Sequence, residues 1–148
     1  MPDKESKEPK AILILGADKE IASHLSRCLS QLDVKMCKPS KGEKVHDAVK
    51  RLLKEADCVG IIPDTEEKPE PLANALHSAG VKGLKFIWCL CHPSEELEKF
   101  FSRQPSEEVL VLDPDHFRKN LSSGCEQLFE FCELVDKKAL DRAKKSLA

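Results

Sequence analysis

The residues able to do chemistry gather just after the apolar runs of the chain. Gly16-Ala17-Asp18 follows one run and Pro63-Asp64-Thr65 another. His92-Pro93-Ser94 follows a third, and Asp113-Pro114-Asp115-His116 a fourth. Asp18, Asp64, Asp113 and Asp115 offer the oxygen ligands that Mg²⁺ takes. The same residue types cap helices and close turns through local hydrogen bonds. That second role is the one expected here, with no bound metal and no cofactor. Cys89-Leu90-Cys91-His92 puts two thiols on one face of an extended run. A zinc site takes four ligands, commonly from two spaced pairs, and no second CxxC or HxxxH pair completes this one. Core packing is therefore expected for these cysteines. Cys91 and His92 are neighbours whose side chains point opposite ways in a strand, which does not make a nucleophile–base pair. There is no GxSxG elbow. His24, His46 and His77 fall in helical segments, whereas His92 and His116 follow apolar runs.

A phosphate cradle needs a glycine-rich turn between a strand and a helix, so that backbone N–H groups reach the anion. The turn here is Gly16-Ala17-Asp18-Lys19-Glu20, with one glycine and two acids. Neither the dinucleotide fingerprint nor a P-loop is present, which argues against conventional nucleotide binding at this turn.

Alternating strands and helices must position these residues. Ala11-Ile-Leu-Ile-Leu15 reads as a strand buried on both faces. Ile21, Leu25, Cys28, Leu29 and Leu32 then fall on one face of a helix, with Asp18 as its cap. Residues 34–38 make a weak strand. Val45, Ala48, Val49, Leu52, Leu53 and Ala56 make a second helical stripe. Cys58-Val-Gly-Ile-Ile62 is a third strand, and Leu72, Ala75, Leu76 and Ala79 mark a third helix. Residues 84–91 are the expected central strand. Ser94 opens a short acidic helix carrying Phe100 and Phe101. One helix face holds one of two adjacent rings, so exposure of the other, or its packing under the loop before Glu107, is the alternative; core packing is the expected place of both. Val109-Leu-Val-Leu112 belongs to the fifth strand. Asp115 is the expected cap of a final helix whose face runs from Phe117 to Val135. The expected fold class is α/β. It is a three-layer, five-stranded parallel sheet in the flavodoxin-like order 2-1-3-4-5, with helices on both faces.

The chain has 148 residues, enough for one domain, read as a disordered charged tail over 1–10 and a single α/β domain over 11–148. Lys+Arg number 24 against 26 Asp+Glu, a balance that excludes a strongly basic nucleic-acid surface. No apolar run reaches the length of a membrane span, so no membrane insertion is expected. The charged first residues do not resemble a secretory signal. With that, an odd cysteine count of 7 points to a reducing, cytoplasmic location.

The chain resembles cytosolic TIR and SEFIR-type signalling domains. Ile14-Leu-Gly-Ala-Asp-Lys-Glu-Ile-Ala-Ser-His-Leu25 is similar to their first strand, acidic turn and helix opening. Residues 45–62 are similar to their second helix and third strand, and "FIWCLCHP" over 86–93 to their fourth strand and its proline turn. The resemblance implies a non-enzymatic cytosolic interaction domain that acts by domain–domain assembly, with a protein partner or as a homo-oligomer. It places the contact loop at Pro39, Ser40, Lys41 and Gly42. A second resemblance is to a degenerate receiver domain. Asp18 stands for an early acid there, and Asp64 lies near the phosphoacceptor position. His92 stands near the usual Thr/Ser, and Asp113-Pro114 where Lys-Pro is usual. The alternative function is a hydrolase of the NAD- or nucleotide-glycosidase type. Some TIR domains cleave NAD with a Glu by the third helix, which implies Glu66, Glu67 or Glu70 here, with Asp64 or Asp18 positioning a ribose.

Overall fold

A computed structural model of the chain describes residues 10–32, 34–37, 42–56, 58–63, 68–81, 83–91, 94–132 and 137–147. Strands and helices alternate as β1 (Lys10–Leu15), α1 (Lys19–Gln31), β2 (Lys35–Met36), α2 (Val45–Leu52), β3 (Cys58–Ile61), α3 (Pro69–Ser78), β4 (Gly83–Cys89) and α4 (Glu95–Ser102). A single 3-10 turn (Ser106–Glu108) leads into β5 (Val109–Leu112). Then come α5 (Pro114–Lys119), α6 (Leu121–Phe131) and α7 (Lys137–Leu147). The five strands form one parallel sheet, as the alternation of runs implies.

The strand order is β2-β3-β1-β4-β5, not the 2-1-3-4-5 expected from the sequence. The difference is the side of β1 on which β3 lies. In the observed order the two longest strands are neighbours. β1 and β4 share six registered pairs, from Lys10 opposite Gly83 to Leu15 opposite Trp88. β3, buried at all four positions, covers the other flank of β1, and the two-residue β2 is left at the edge. The two-residue β2 set directly against β1, as in the expected order, would leave most of that flank of β1 without ladder partners. Gly60 helps to seat this edge: a Cβ on it would come within 2.7 Å of the Met36 thioether sulfur.

The layering follows from crossover handedness. The β1-to-β2 connection runs one way along the sheet and the next three run the other way. Right-handed crossovers then place α1 on one face and α2, α3 and α4 on the opposite face. The side chains of β1 divide accordingly. Ile12 and Ile14 pack with Ile21, Leu25 and Leu29 of α1 and with Cys125 and Leu128 of α6. Ala11, Leu13 and Leu15 pack with Val49, Leu72, Leu76, Phe100 and Phe101.

Both adjacent phenylalanines of α4 are buried, so neither lies at the surface. The helix lies over β4 closely enough for each ring to find its own strand partner. Phe100 meets Phe86 edge-on at 5.2 Å, and Phe101 stacks on Trp88 at 4.8 Å. Such pairs add roughly 0.5–1.5 kcal/mol beyond area burial. The lysine within apolar β4 also has a structural reason. Lys85 Nζ donates to the Phe131 carbonyl at 2.6 Å, at the C-terminal end of α6, and lies 5.0 Å from the Phe131 ring centre. A cation there complements the helix dipole.

The expected single last helix is divided. Asn120 (φ −135°, ψ 58°) leaves helical geometry between α5 and α6. The cap of α5 is Asp113 rather than Asp115, because Pro114 takes the first helical position, where its missing N–H costs nothing. Phe117 of α5 then folds onto α6 at Gly124, where a Cβ would meet its ring at 2.4 Å.

Two glycines test this packing. Gly16 (φ +79°) lies where a Cβ would be 2.4 Å from the Cys89 carbonyl oxygen, whereas Gly80 (φ +99°) faces open space. Both resist substitution through backbone strain, and Gly16 adds a backbone clash. Gly16→Ala is expected to lose roughly 3 kcal/mol and Gly80→Ala roughly 1 kcal/mol in urea unfolding followed by Trp fluorescence. Equal losses would show that the close approach of β1 to β4 has no energetic weight.

Candidate functional site

β1, β3, β4 and β5 deliver their C-terminal ends to one edge of the sheet. Adjacent β1 and β4 send the following chain to opposite faces, the arrangement that opens a crevice in parallel α/β sheets. The side chains there are Asp18 and Glu20 after β1, Cys91 after β4, and Asp113, Asp115, His116 and Arg118 after β5.

Arg118 joins these pieces. Its Nε lies 2.6 Å from Glu20 Oε1 and its NH1 2.8 Å from Asp115 Oδ1. Its NH2 lies 3.5 Å from Asp18 Oδ2. The Nε–Glu20 contact is a charge contact rather than an aligned hydrogen bond. Burial opposes the guanidinium charge. Glu20, then Asp115 and Asp18, outweigh it and hold the Arg118 pKa above its ordinary value. Three carboxylates thus converge on one cation, which fastens the α1 entrance to α5.

The acids have a second structural task. Asp18 accepts the Ile21 N–H at 2.8 Å and caps α1. Its carboxylate therefore stands where a bound anion would sit at that helix end. Gly16 brings its backbone against β4 rather than opening a cradle. Asp113 accepts from the N–H of Asp115 at 3.0 Å and of His116 at 3.5 Å. Ser94 caps α4 by accepting the Leu97 N–H at 3.3 Å. The expected capping roles of Asp18 and Ser94 are thus observed.

Cys89 and Cys91 face the same layer, as a CxC strand pair must, and join its apolar cluster with Cys58. Burial, then the charges of Cys91 and Asp18, push the Cys89 thiol up to about 12. Burial also raises Cys91, with Asp18 beside it. In the α1–α6 layer, Cys28 is raised by its hydrogen bond to Cys125 and by burial. These three thiols stay protonated at neutral pH, the unreactive form. Among the described residues, no three His, Cys, Asp or Glu side chains gather in a metal-binding group.

Glu70, of the described residues singled out from sequence, does not join this cluster. Glu70 lies in the first turn of α3 and pairs with Arg103 at 3.2 Å, with both side chains exposed. Asp64, Thr65, Glu66, Glu67, His92 and Pro93 lie outside the described residues, as do Pro39, Ser40 and Lys41. Gly42 is exposed before α2 with φ +83°. His116 is exposed on α5.

Sequence reasoning missed two features. Arg118 went unnoticed because its partners Asp18 and Glu20 are about a hundred positions away; only Asp115, three residues earlier, was a local signal. The second is an exposed apolar pair, Leu90 (46% exposed) and Val111 (50% exposed). Trp88 is registered opposite Val111 across the β4–β5 ladder. The Leu90 N–H continues that ladder to the Leu112 carbonyl at 3.1 Å. Strand alternation then places Leu90, Trp88 and Val111 on the face that α4 covers. β5 ends the sheet, so this strip borders an edge with no strand neighbour among the described residues. The expected place of the apolar run 109–112 at the end of the sheet was the available signal.

The architecture and this edge define a three-layer parallel α/β protein. No family model matches the chain, and no curated protein matches it. Its fold is similar to the solution NMR structure of a de novo designed PLOOP2X3_50 fold protein. That likeness has a TM-score of 0.56 at 17% sequence identity and covers 95% of this chain and 91% of the designed one. It is a likeness of fold. No helix among the described residues is long and apolar enough to cross a membrane.

The structural role of Asp18 is directly testable. Asp18→Ala removes the α1 cap and one Arg118 contact, with an expected loss of about 1 kcal/mol in chemical unfolding. Asp18→Asn keeps a capping oxygen and is expected to lose about half that or less, by an amount that shrinks in salt. Unchanged stability in Asp18→Ala would free this carboxylate for another role.

Proposed function

We propose that the chain is a non-enzymatic protein-interaction domain whose contact surface includes the open side of the sheet at β5. One observation carries this reading. Asp18, Glu20, Asp115 and Arg118 at the carboxyl edge engage one another and the α1 end, while Leu90 and Val111 stand exposed together beside a sheet edge that no described strand covers. Exposed apolar residues with a neighbouring aromatic ring are the usual core of a protein contact. Pro39, Ser40, Lys41 and Gly42 form a second contact region in this reading.

Two measurements test it. Incubation of the pure protein with NAD or nucleotides is expected to release no base above a buffer blank. Base release abolished by Glu70→Gln would contradict the non-enzymatic reading. Proteins retained from a native extract are expected to fall severalfold with Val111→Glu, while circular dichroism stays unchanged. Equal retention by Val111→Glu together with loss in Lys41→Glu would move the contact surface to the 39–42 segment.

A further inference from the structure

We infer that β5 is the docking edge for an extended segment of a partner protein, a segment of alternating apolar residues flanked by Lys or Arg that adds as a sixth strand. This deepens the interaction reading above and rests on it. Proteins usually blunt a sheet edge with Pro, Lys or a bulge, since unpaired backbone groups recruit another strand. β5 is Val-Leu-Val-Leu over 109–112 and carries none of these within it.

The direction of its backbone groups can be read from the ladder. The Leu112 carbonyl accepts from Leu90, so the Leu112 backbone faces β4. Backbone groups alternate sides along a strand, so those of Val111 face outward. The Val109 N–H, also outward, bonds back to the Ser106 carbonyl. The Val111 N–H and C=O are thus the central pair offered to an incoming strand. Beside them, Val111, Leu90 and Trp88 supply an apolar bed for alternate side chains of that strand.

Charge decides the chemistry of the occupant. Residues 94–113 hold six acids (Glu95, Glu96, Glu98, Glu107, Glu108, Asp113) against two bases (Lys99, Arg103), although the whole chain carries only −2. Arg103 is itself paired with Glu70. Glu107 and Glu108 precede β5, and Asp113 follows it. A strand with basic flanks meets opposite charge at both ends. A second copy of β5 does not. Antiparallel pairing about the strand midpoint sets Glu108 against Asp113 at both ends, and like charges directly opposite are destabilising.

The test uses the full chain and three synthetic peptides. One is an alternating Val/Thr strand with two Lys at each end, the second the same strand with two Glu at each end, and the third a Lys-rich amphipathic helix. Trp88, the one tryptophan, reports occupancy by fluorescence, and amide shifts over 109–112 locate it. The Lys-flanked strand is expected to bind about tenfold or more tightly than the Glu-flanked one at low salt, with the ratio falling as salt rises. Val111→Pro removes the outward N–H without touching the β4 ladder, a substitution that edge strands accept, and is expected to abolish binding. Val111→Thr keeps that N–H and is expected to retain binding. Equal affinity for the two strand peptides, preference for the helical peptide, undiminished binding by Val111→Pro, or self-association broken by Val111→Pro would each overturn the inference. Such a failure, with extract capture still lost in Val111→Glu, leaves the interaction reading standing. Base release from NAD removes that reading instead.

Discussion

Six registered pairs join β1 to β4, and the chain turns at Gly16 with its backbone pressed against the Cys89 carbonyl. The rest of the protein depends on this contact. β1 has side chains buried on both faces, so each helix layer is built on it. The side that receives α1 and the side that receives α2, α3 and α4 follow once β1 is central, because right-handed crossovers leave no other choice. The same turn also starts α1 at Asp18, and so places that carboxylate within reach of Arg118.

The carboxyl edge illustrates how one fold plan can serve different ends. In open α/β sheets this edge is where ligands bind. Here a carboxylate of the chain itself holds the first helix, and one arginine ties three acids from two separated segments. Pairs this exposed add little stability individually, typically about 1 kcal/mol or less. Their effect is positional: they close α1 against α5 and engage the groups a ligand would otherwise use. Exposed apolar surface remains at the β5 margin, next to an acidic stretch of the chain.

Much of this was legible from the residues, and the misses share a cause. The runs at 11–15, 58–62 and 84–91 read as strands because strands buried between two layers are largely apolar, and 109–112 reads as one by the same apolar run although it lies at the edge of the sheet. Asp18 read as a cap because capping is local. The layering was legible through handedness. The position of β3 beside β1 was not, since pairing between distant strands leaves no local periodic mark. Arg118 escaped for the same reason. Phe100 and Phe101 both reach the core, as expected, because the helix approaches β4 closely enough for Phe86 and Trp88 to seat the two rings. The cap at Asp113 was available in principle: Pro114 marks the first helical position.

Photo-crosslinking in the native cell tests the account most directly. A benzophenone side chain placed at position 111 samples the open β5 margin, and one at position 116 samples the carboxyl edge. The account predicts protein-sized adducts from position 111 and unmodified chain from position 116. Adducts from 116 with none from 111 would contradict it and return the carboxyl edge to the role of binding site.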